Sequence, residues 1–358
     1  MYRKKNLFKV EQYIYFVTLV AIFIKFSTSF VNADIYKVSK IELSEPYELN
    51  FNKQLVIENA FSLGFIELVK KITISDEFLK LQNTDIKVIK SLVDSFTITD
   101  EKFIENKYSA SFEVSFSKKF VLKYLDKKNV FLSIPIEKKI FTMPILVDLD
   151  KKQTLLFSEN YFYNHWNKNT EKFHLLEYIL PNEDLDDIET IKKNYENIED
   201  YDFKDIISKY DLKDYLIIIF FKYDKNFKIL SKINLNSEKI IFNKLFKNID
   251  LNNKKDLEEL IYILKTNFEN QWKKVNQINT SIKLPLTLQV ESKNYELIKI
   301  LENELSKLDL VSNFYIDNFG NEITTYKIIF NGTPNRFIQE INKGKINLNT
   351  SFKIWRIE

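Results

Sequence analysis

Residues 282–291 read IKLPLTLQVE, and this stretch decides the class of fold. Its apolar side chains fall at every second position, which predicts a β-strand with one buried face and one wet face. The elements predicted after it are a helix at 295–305, strands at 308–317 and 324–330, a helix at 334–342 and a strand at 348–357. This order is the ferredoxin-like (βαββαβ) split pattern. We therefore predict a multi-domain α+β chain with a ferredoxin-like C-terminal domain at 282–358.

Two continuous apolar runs lie upstream of this domain. Residues 140–147 (IFTMPILV) and 214–223 (DYLIIIFFKY) have no polar face, as is typical of strands covered on both sides of a sheet. A long helix predicted at 256–279 leads out of this region. These patterns predict a central α/β domain at 138–281 with a long exit helix.

A third pattern occupies the N-terminal part of the chain. Apolar residues at spacings of three and four predict an amphipathic helix at 52–72. Strands are predicted at 95–103 and 107–117, with Glu105 and Asn106 as the turn between them. We predict an N-terminal α+β domain at 34–137. The boundaries near 137 and 281 rest on the changes in pattern.

Residues 1–33 have the features of a secretory signal peptide. Four basic side chains precede an uncharged apolar run at 13–24, and the segment ends in Val31-Asn32-Ala33. We predict cleavage after Ala33 and a periplasmic location. The alternative is an inner-membrane anchor formed by residues 13–30, although a spanning helix needs about 20 apolar residues and Lys25 interrupts the run.

Composition bounds the possible partners and chemistry. The chain carries a formal charge of +3, but the leader holds five basic side chains and one acid, so the remainder is at −1. That balance lacks the positive charge expected of a nucleic-acid-binding protein, and membrane contact is expected only through the leader. There is no cysteine, which excludes disulfides, thiolate metal sites, cysteine nucleophiles and a lipid-bearing cysteine.

No catalytic, cofactor-binding or metal-binding residue is predicted. The four glycines are too far apart to form a phosphate-binding loop. His165 and His174 lack the paired helical spacing of zinc hydrolases, so packing or surface roles are favoured for both. The acidic residues at 182–189 lack the ligand order of a calcium loop and suit a helix N-terminus.

One aromatic stretch could bind a partner. Residues 161–166 read YFYNHW, and Tyr161, Tyr163, His165 and Trp166 would form an exposed patch for a partner or a sugar. The alternative is core packing, which is favoured because aromatic residues are common throughout the chain.

Several segments together resemble a known family. They are residues 60–73 (AFSLGFIELVKKIT), 92–102 (LVDSFTITDEK), 108–116 (YSASFEVSF), 141–148 (FTMPILVD), 155–157 (LLF), 164–166 (NHW), 328–332 (IIFNG) and Trp355. Their order is similar to that of the exported proteobacterial domain-of-unknown-function family 2066. Lys70 and Lys71 stand where arginine is usual in the family, and Phe157 stands where tryptophan is usual. The resemblance implies a cell-envelope location and supplies no catalytic residues.

We expect a non-enzymatic periplasmic protein that binds another envelope protein or a cell-wall component. One alternative is a hydrolase that cleaves cell-wall sugar or peptide through carboxylates that the sequence does not identify. A second alternative is an assembly factor anchored in the inner membrane by the leader.

Overall fold

The computed structural model describes residues 36–168, 170–251, 253–278, 283–308, 310–344 and 346–358. The predicted leader and its cleavage position lie outside the described residues. Within them the chain is mixed α+β, with ten α-helices and several sheets, as the sequence predicts. No helix among the described residues is long and apolar enough to cross a membrane.

The N-terminal part is a three-stranded antiparallel sheet covered by helices. Its elements are β1 (Lys37–Pro46), α1 (Lys53–Ile72), α2 (Ser75–Leu79), α3 (Ile86–Leu92), β2 (Val93–Ile104), β3 (Lys107–Phe116), α4 (Lys118–Lys127) and β4 (Leu132–Ser133). The strand order is β1-β3-β2, so that β3 is central and β2 forms one edge. The short helix α2 was not predicted.

Helix α1 begins where the sequence predicts it, because Asn52 accepts a hydrogen bond from the Gln54 amide at 2.9 Å and caps the first turn. Gly64 faces the sheet, and a Cβ atom there would lie 2.9 Å from the side chain of Ile41 and 3.5 Å from that of Phe116. The glycine therefore allows the close approach of helix and sheet, over which the first hydrophobic core forms.

The central part is built on a six-stranded mixed sheet. Its elements are β5 (Lys138–Asp148), β6 (Gln153–Leu155), α5 (Tyr161–His165), β7 (Leu176–Ile179), α6 (Leu185–Lys193), α7 (Lys204–Ser208), β8 (Tyr215–Tyr223), β9 (Asn226–Leu235), β10 (Glu238–Phe246), α8 (Lys254–Val275) and β11 (Gln277–Ile278). The order is β10-β9-β8-β5-β6, with β7 also on β5. Strands β5 and β8 run parallel in the middle, and apolar clusters cover both faces of the sheet. This two-sided burial explains their continuous apolar sequences.

Helix α8, predicted as the exit helix of the central domain, packs on this sheet. Its buried apolar residues are Leu257, Leu260, Ile261, Leu264, Phe268 and Trp272. An apolar stripe on a helix is stable only when it is buried against another element. The stripe of α8 is buried against one face of the central sheet, and α6 and α7 pack on the other face. After α8, β11 pairs with β4.

The C-terminal part is a five-stranded sheet with two helices. Its elements are β12 (Leu284–Glu291), α9 (Tyr295–Lys307), β13 (Val311–Phe319), β14 (Ile323–Phe330), α10 (Pro334–Lys343), β15 (Leu348–Asn349) and β16 (Trp355–Ile357). The order is β13-β14-β12-β16-β15. The residues predicted as one strand at 348–357 form two short strands, because the Asn349 side chain accepts hydrogen bonds from the amide and hydroxyl of Ser351 and turns the chain. As a result β16 lies parallel to β12, and β15 forms the sheet edge.

Candidate functional site

Of the four residues of the predicted aromatic patch, Trp166 lies in the core, while Tyr161, Tyr163 and His165 are partly exposed. Trp166 is fully buried beneath α5, where its ring packs against Tyr178 and Phe268. Tyr163 is half-buried and donates a hydrogen bond to the Pro181 carbonyl at 2.6 Å. Trp166 therefore offers no surface to a partner, because its side chain lies inside the hydrophobic core against the central sheet.

Tyr161 and His165 form a stacked pair on the same helix. Their ring centres are 3.9 Å apart, and the planes differ by 9°. His165 Nδ1 lies 3.0 Å from the Tyr161 carbonyl oxygen, one helical turn away. These contacts fix the ring within α5 and bring no acid or nucleophile to it.

Three charged residues of α8 are buried in one line along the helix, and we call them the α8 charge cluster: Lys265, Glu269 and Lys273. Glu269 accepts hydrogen bonds from the amides of Leu175 and Leu176 at 2.9 and 3.0 Å. Burial raises the pKa of Glu269, and these two bonds oppose that rise. Burial also lowers the pKa values of Lys265 and Lys273 to about 8, against the attraction of Glu269.

The α8 charge cluster connects three parts of the fold. Lys273 donates a hydrogen bond to the Lys70 carbonyl in the last turn of α1 at 2.5 Å, where a cation also complements the helix dipole. The Lys265 ammonium lies 5.2 Å from the ring centre of Tyr178. Lys265 is 1% exposed, so the cluster acts inside the protein and holds α8 against α1 and β7.

His174 lies beside this cluster. Neither ring nitrogen has a hydrogen-bond partner among the described residues. Burial, together with Lys265 and Lys273, lowers the pKa of His174 to about 4. The histidine is therefore neutral at pH 7, and no carboxylate orients it as a general base.

The acidic residues at 182–189 stabilise the start of α6, in line with the sequence interpretation. Asp184 accepts hydrogen bonds from the amides of Asp186 and Asp187 at 2.9 and 3.2 Å. The Lys209 ammonium bridges Asp184 and Asp187, which raises the pKa of this lysine and lowers that of Asp184. Among the described residues, no group of three or more potential ligands could hold a metal ion.

Opposite β1, the strand β2 forms an edge of the N-terminal sheet. No strand among the described residues pairs with its outer side. Register shifts separate Val93 from Ser95 and Thr99 from Lys102, and residues 93–99 contain no lysine and no proline. Natural edge strands are usually protected by such residues, by short length or by bulges. Among the other edge strands, β10 carries Lys239 and Lys244, while β13, like β2, pairs with its neighbour through two register shifts.

An aromatic cluster closes the end of this sheet next to the β2–β3 turn. Tyr47, Phe51, Phe103 and Tyr108 lie with neighbouring ring centres 5.0–5.1 Å apart. Tyr108 is buried, and burial with a nearby Glu101 raises its pKa to about 12. Around this base, four apolar side chains are exposed: Tyr47, Leu49, Phe103 and Ile104. We call these four residues the end patch.

The face of the sheet away from α1 is polar. Ser44 and Ser109 hydrogen-bond through their hydroxyls at 3.1 Å, and Ser39 donates to Glu113 at 2.9 Å. Lys37 pairs with Glu113 at 2.6 Å and lowers the pKa of that carboxyl. The candidate site is therefore the outer side of β2 and the end patch, and not this face.

No family model and no curated protein matches the chain.

Sequence reasoning did not single out this site. It placed β2, the turn and β3 correctly, and the alternation in 108–116 identified the buried face. The order of the strands in the sheet was not predicted, because the sequence of 93–104 does not indicate whether β2 pairs with a second strand.

Proposed function

We propose that this protein is exported to the periplasm and acts without catalysis, as a docking protein for another component of the cell envelope. The observation that carries the proposal is the unpaired outer side of β2 beside the end patch. An extended segment can add itself to such an edge through main-chain hydrogen bonds, while neighbouring apolar side chains supply affinity.

The partner that fits is an extended protein segment with neutral or basic side chains. Asp94, Asp100 and Glu105 are exposed along β2 and its turn, and none of the three has an ion pair among the described residues. Opposite charge on the partner would steer it to this edge. Phe103 and Ile104 would contact the apolar end of the same segment, because both lie at the turn end of β2 and are exposed.

Crosslinking in intact cells tests this proposal with two matched variants. Thr99 and Ser111 are paired opposite each other on the polar face, on the edge strand and the central strand respectively. Thr99→Lys adds a protecting charge to the edge and should reduce the captured product about tenfold, while Ser111→Lys adds the same charge and leaves capture intact. Equal capture by the two variants contradicts the proposal.

Two further results separate docking from catalysis. Replacing His165 and His174, singly or together, should leave capture unchanged, because neither ring touches β2. A turnover assay on peptidoglycan fragments should show no product, whereas measurable turnover would establish a cell-wall hydrolase.

We infer that the C-terminal part is a variant of the ferredoxin-like arrangement, supported by the neighbour order of β13, β14 and β12 and by the helices between them. The hairpin of β15 and β16 replaces the single fourth strand. The resemblance to the exported domain-of-unknown-function family 2066 agrees with an envelope location and supports the docking role only in that respect.

A further inference from the structure

A cleft of about 340 Å³ lies on the helical side of the N-terminal part, away from β2. It opens between the segment after α2, the start of α3 and the end of α4. The lining residues that matter for binding are Lys80, Thr84, Asp85, Tyr124, Lys127 and Lys128. Its volume is at the lower end of the range for small-molecule sites.

Two ammonium groups at the mouth of the cleft are available to a ligand. Lys127 and Lys128 have no ion pair and donate no side-chain hydrogen bond within the part of the chain that the structure describes. Lys128 lies 5.8 Å from the ring centre of Tyr124, which holds it over the cleft. The third lysine, Lys80, is bound by both carboxylate oxygens of Glu77 at 2.9 and 3.0 Å.

The only acid in the lining is already engaged. Asp85 accepts a hydrogen bond from the Lys87 amide at 2.7 Å and caps α3. Positive charge therefore dominates the mouth, although the chain without its leader is close to neutral. Lys119 and Lys123 extend this charge along the exposed face of α4, at intervals of one helical turn from Lys127.

The inner wall is built to contact a neutral group. Thr84 donates its single hydroxyl proton to the Leu81 carbonyl at 2.6 Å, so the Tyr124 hydroxyl must donate to Thr84 at 2.9 Å. Both hydroxyl protons are thus occupied, and the Tyr124 ring and Val88 present apolar surface. An anionic group at the lysines with a short uncharged portion behind it would match this wall.

We propose that the cleft binds a phosphate-bearing ligand through Lys127 and Lys128. The ligand is either a small soluble phosphate ester or the headgroup of an anionic phospholipid, since both present a phosphate followed by a glycerol-like portion. The site is independent of the docking role, because it shares no residue with β2 or the end patch.

Three probes distinguish these sources with the full-length chain. The first two are inorganic phosphate and glycerol 3-phosphate, followed by isothermal titration. The third is a vesicle of phosphatidylglycerol and phosphatidylcholine, compared by co-sedimentation with a vesicle of phosphatidylcholine alone. Binding of the soluble probes identifies a free ester as the ligand class, and binding to phosphatidylglycerol vesicles alone identifies a headgroup.

The matched variants are Lys127→Gln/Lys128→Gln and Lys254→Gln/Lys255→Gln. Both remove two adjacent exposed lysines, the second pair from the first turn of α8. The cleft variant should bind about fivefold more weakly for each lysine removed, and the control should match the unchanged protein. Both variants contain the leader, so any contribution of the leader to vesicle binding cancels in the comparison.

Circular dichroism checks that the double variant folds, and if it does not, Lys127→Gln alone carries the test. Two results would overturn the proposal: binding of none of the three probes by the unchanged protein, or equal weakening in the cleft and control variants. Binding that is also insensitive to added salt would count against it, because phosphate contacts of exposed lysines are screened.

Discussion

Glu269 lies inside the protein because it accepts hydrogen bonds from two main-chain amides, those of Leu175 and Leu176. Lys265 and Lys273 lie one turn before and after it on α8, so its charge is compensated on both sides. A buried ion pair adds little stability over an apolar replacement, but removal of one partner leaves the other uncompensated. Glu269 thus helps to hold α8 against the start of β7.

Replacing Glu269 with alanine should lower the free energy of unfolding by about 3–5 kcal/mol, since two amides and two lysines lose their partner. Glu177→Ala is the control, because Glu177 is exposed and only 3.6 Å from Lys139 in a surface pair. That change should cost less than about 1 kcal/mol. Urea unfolding followed by tryptophan fluorescence measures both, and similar losses would show that the α8 charge cluster is not structural.

His174 should make stability depend on pH. Its folded pKa is about 4, against 6.5 for the free side chain. As the pH falls through this window, the unfolded chain binds the proton before the folded chain does, so the free energy of unfolding decreases. At pH values well above 6.5 the histidine is neutral in both states and contributes no such change.

The test compares the unchanged protein with His174→Leu from about pH 7 to about pH 5. The loss of stability on acidification should be smaller in the variant, because its carboxylates titrate as before while the histidine term is gone. Identical losses in the two proteins would mean that His174 titrates normally in the folded state.

At the scale of single elements, the β2–β3 turn is strained by its sequence. Glu105 and Asn106 have φ values of 51° and 57°, as a two-residue type I′ hairpin turn requires. Glutamate is disfavoured at positive φ, whereas Asn-Gly is the preferred pair for this turn. The hairpin that carries the candidate docking edge therefore forms despite one unfavourable residue.

Exchanging this pair for Asn-Gly, through Glu105→Asn and Asn106→Gly, should stabilise the hairpin by about 1 kcal/mol. Hydrogen–deuterium exchange of residues 93–116 should slow accordingly. The opposing change, Asn106→Ala, places a less tolerant residue at positive φ and should speed exchange in the same segment. If the two variants exchange at the same rate, the turn does not limit the opening of this hairpin.

Local patterns predicted the elements but not their neighbours. Asn52, the apolar spacing in α1 and the alternation in β3 are sufficient to place those elements, because caps and periodicity act within a few residues. The apolar stripe of α8 can be read from the sequence in the same way, but the sequence does not show that the central sheet covers this stripe. Burial of Lys265, Glu269 and Lys273 depends on that same missing contact.

The split of the last predicted strand has a similar cause. Alternation over 348–357 suggests one strand, and only the Asn349 side chain reverses the chain at that point. For the candidate site, β2 was predicted as a strand, while its position at an edge follows from the pairing of β3 with both β1 and β2. The edge position of β2 is a property of the assembled sheet, and the sequence of 93–104 alone does not reveal it.

For the whole molecule, the proposed export route makes a definite prediction about the mature chain. If the leader is cleaved after Ala33, the product recovered from cells begins at Asp34, three residues before β1. Mass spectrometry of the intact protein checks this directly. A product that still begins at Met1 would instead support a membrane-anchored assembly factor.

The whole molecule also offers a control for the docking proposal, because β10 is a long edge strand of a different sheet. Thr97 is exposed on β2, and Ile241 is 74% exposed on β10. A partner strand that adds to β2 would contact the first position and not the second. Comparing the crosslinks formed from these two positions of the same chain therefore tests whether the partner binds at β2.

Site-specific photocrosslinking in intact cells from these two positions tests the central claim most directly. We predict one discrete crosslinked envelope product from position 97, lost when Thr99→Lys is added, and none from position 241. Absence of a product at position 97, or the same products from both positions, would contradict docking at the β2 edge.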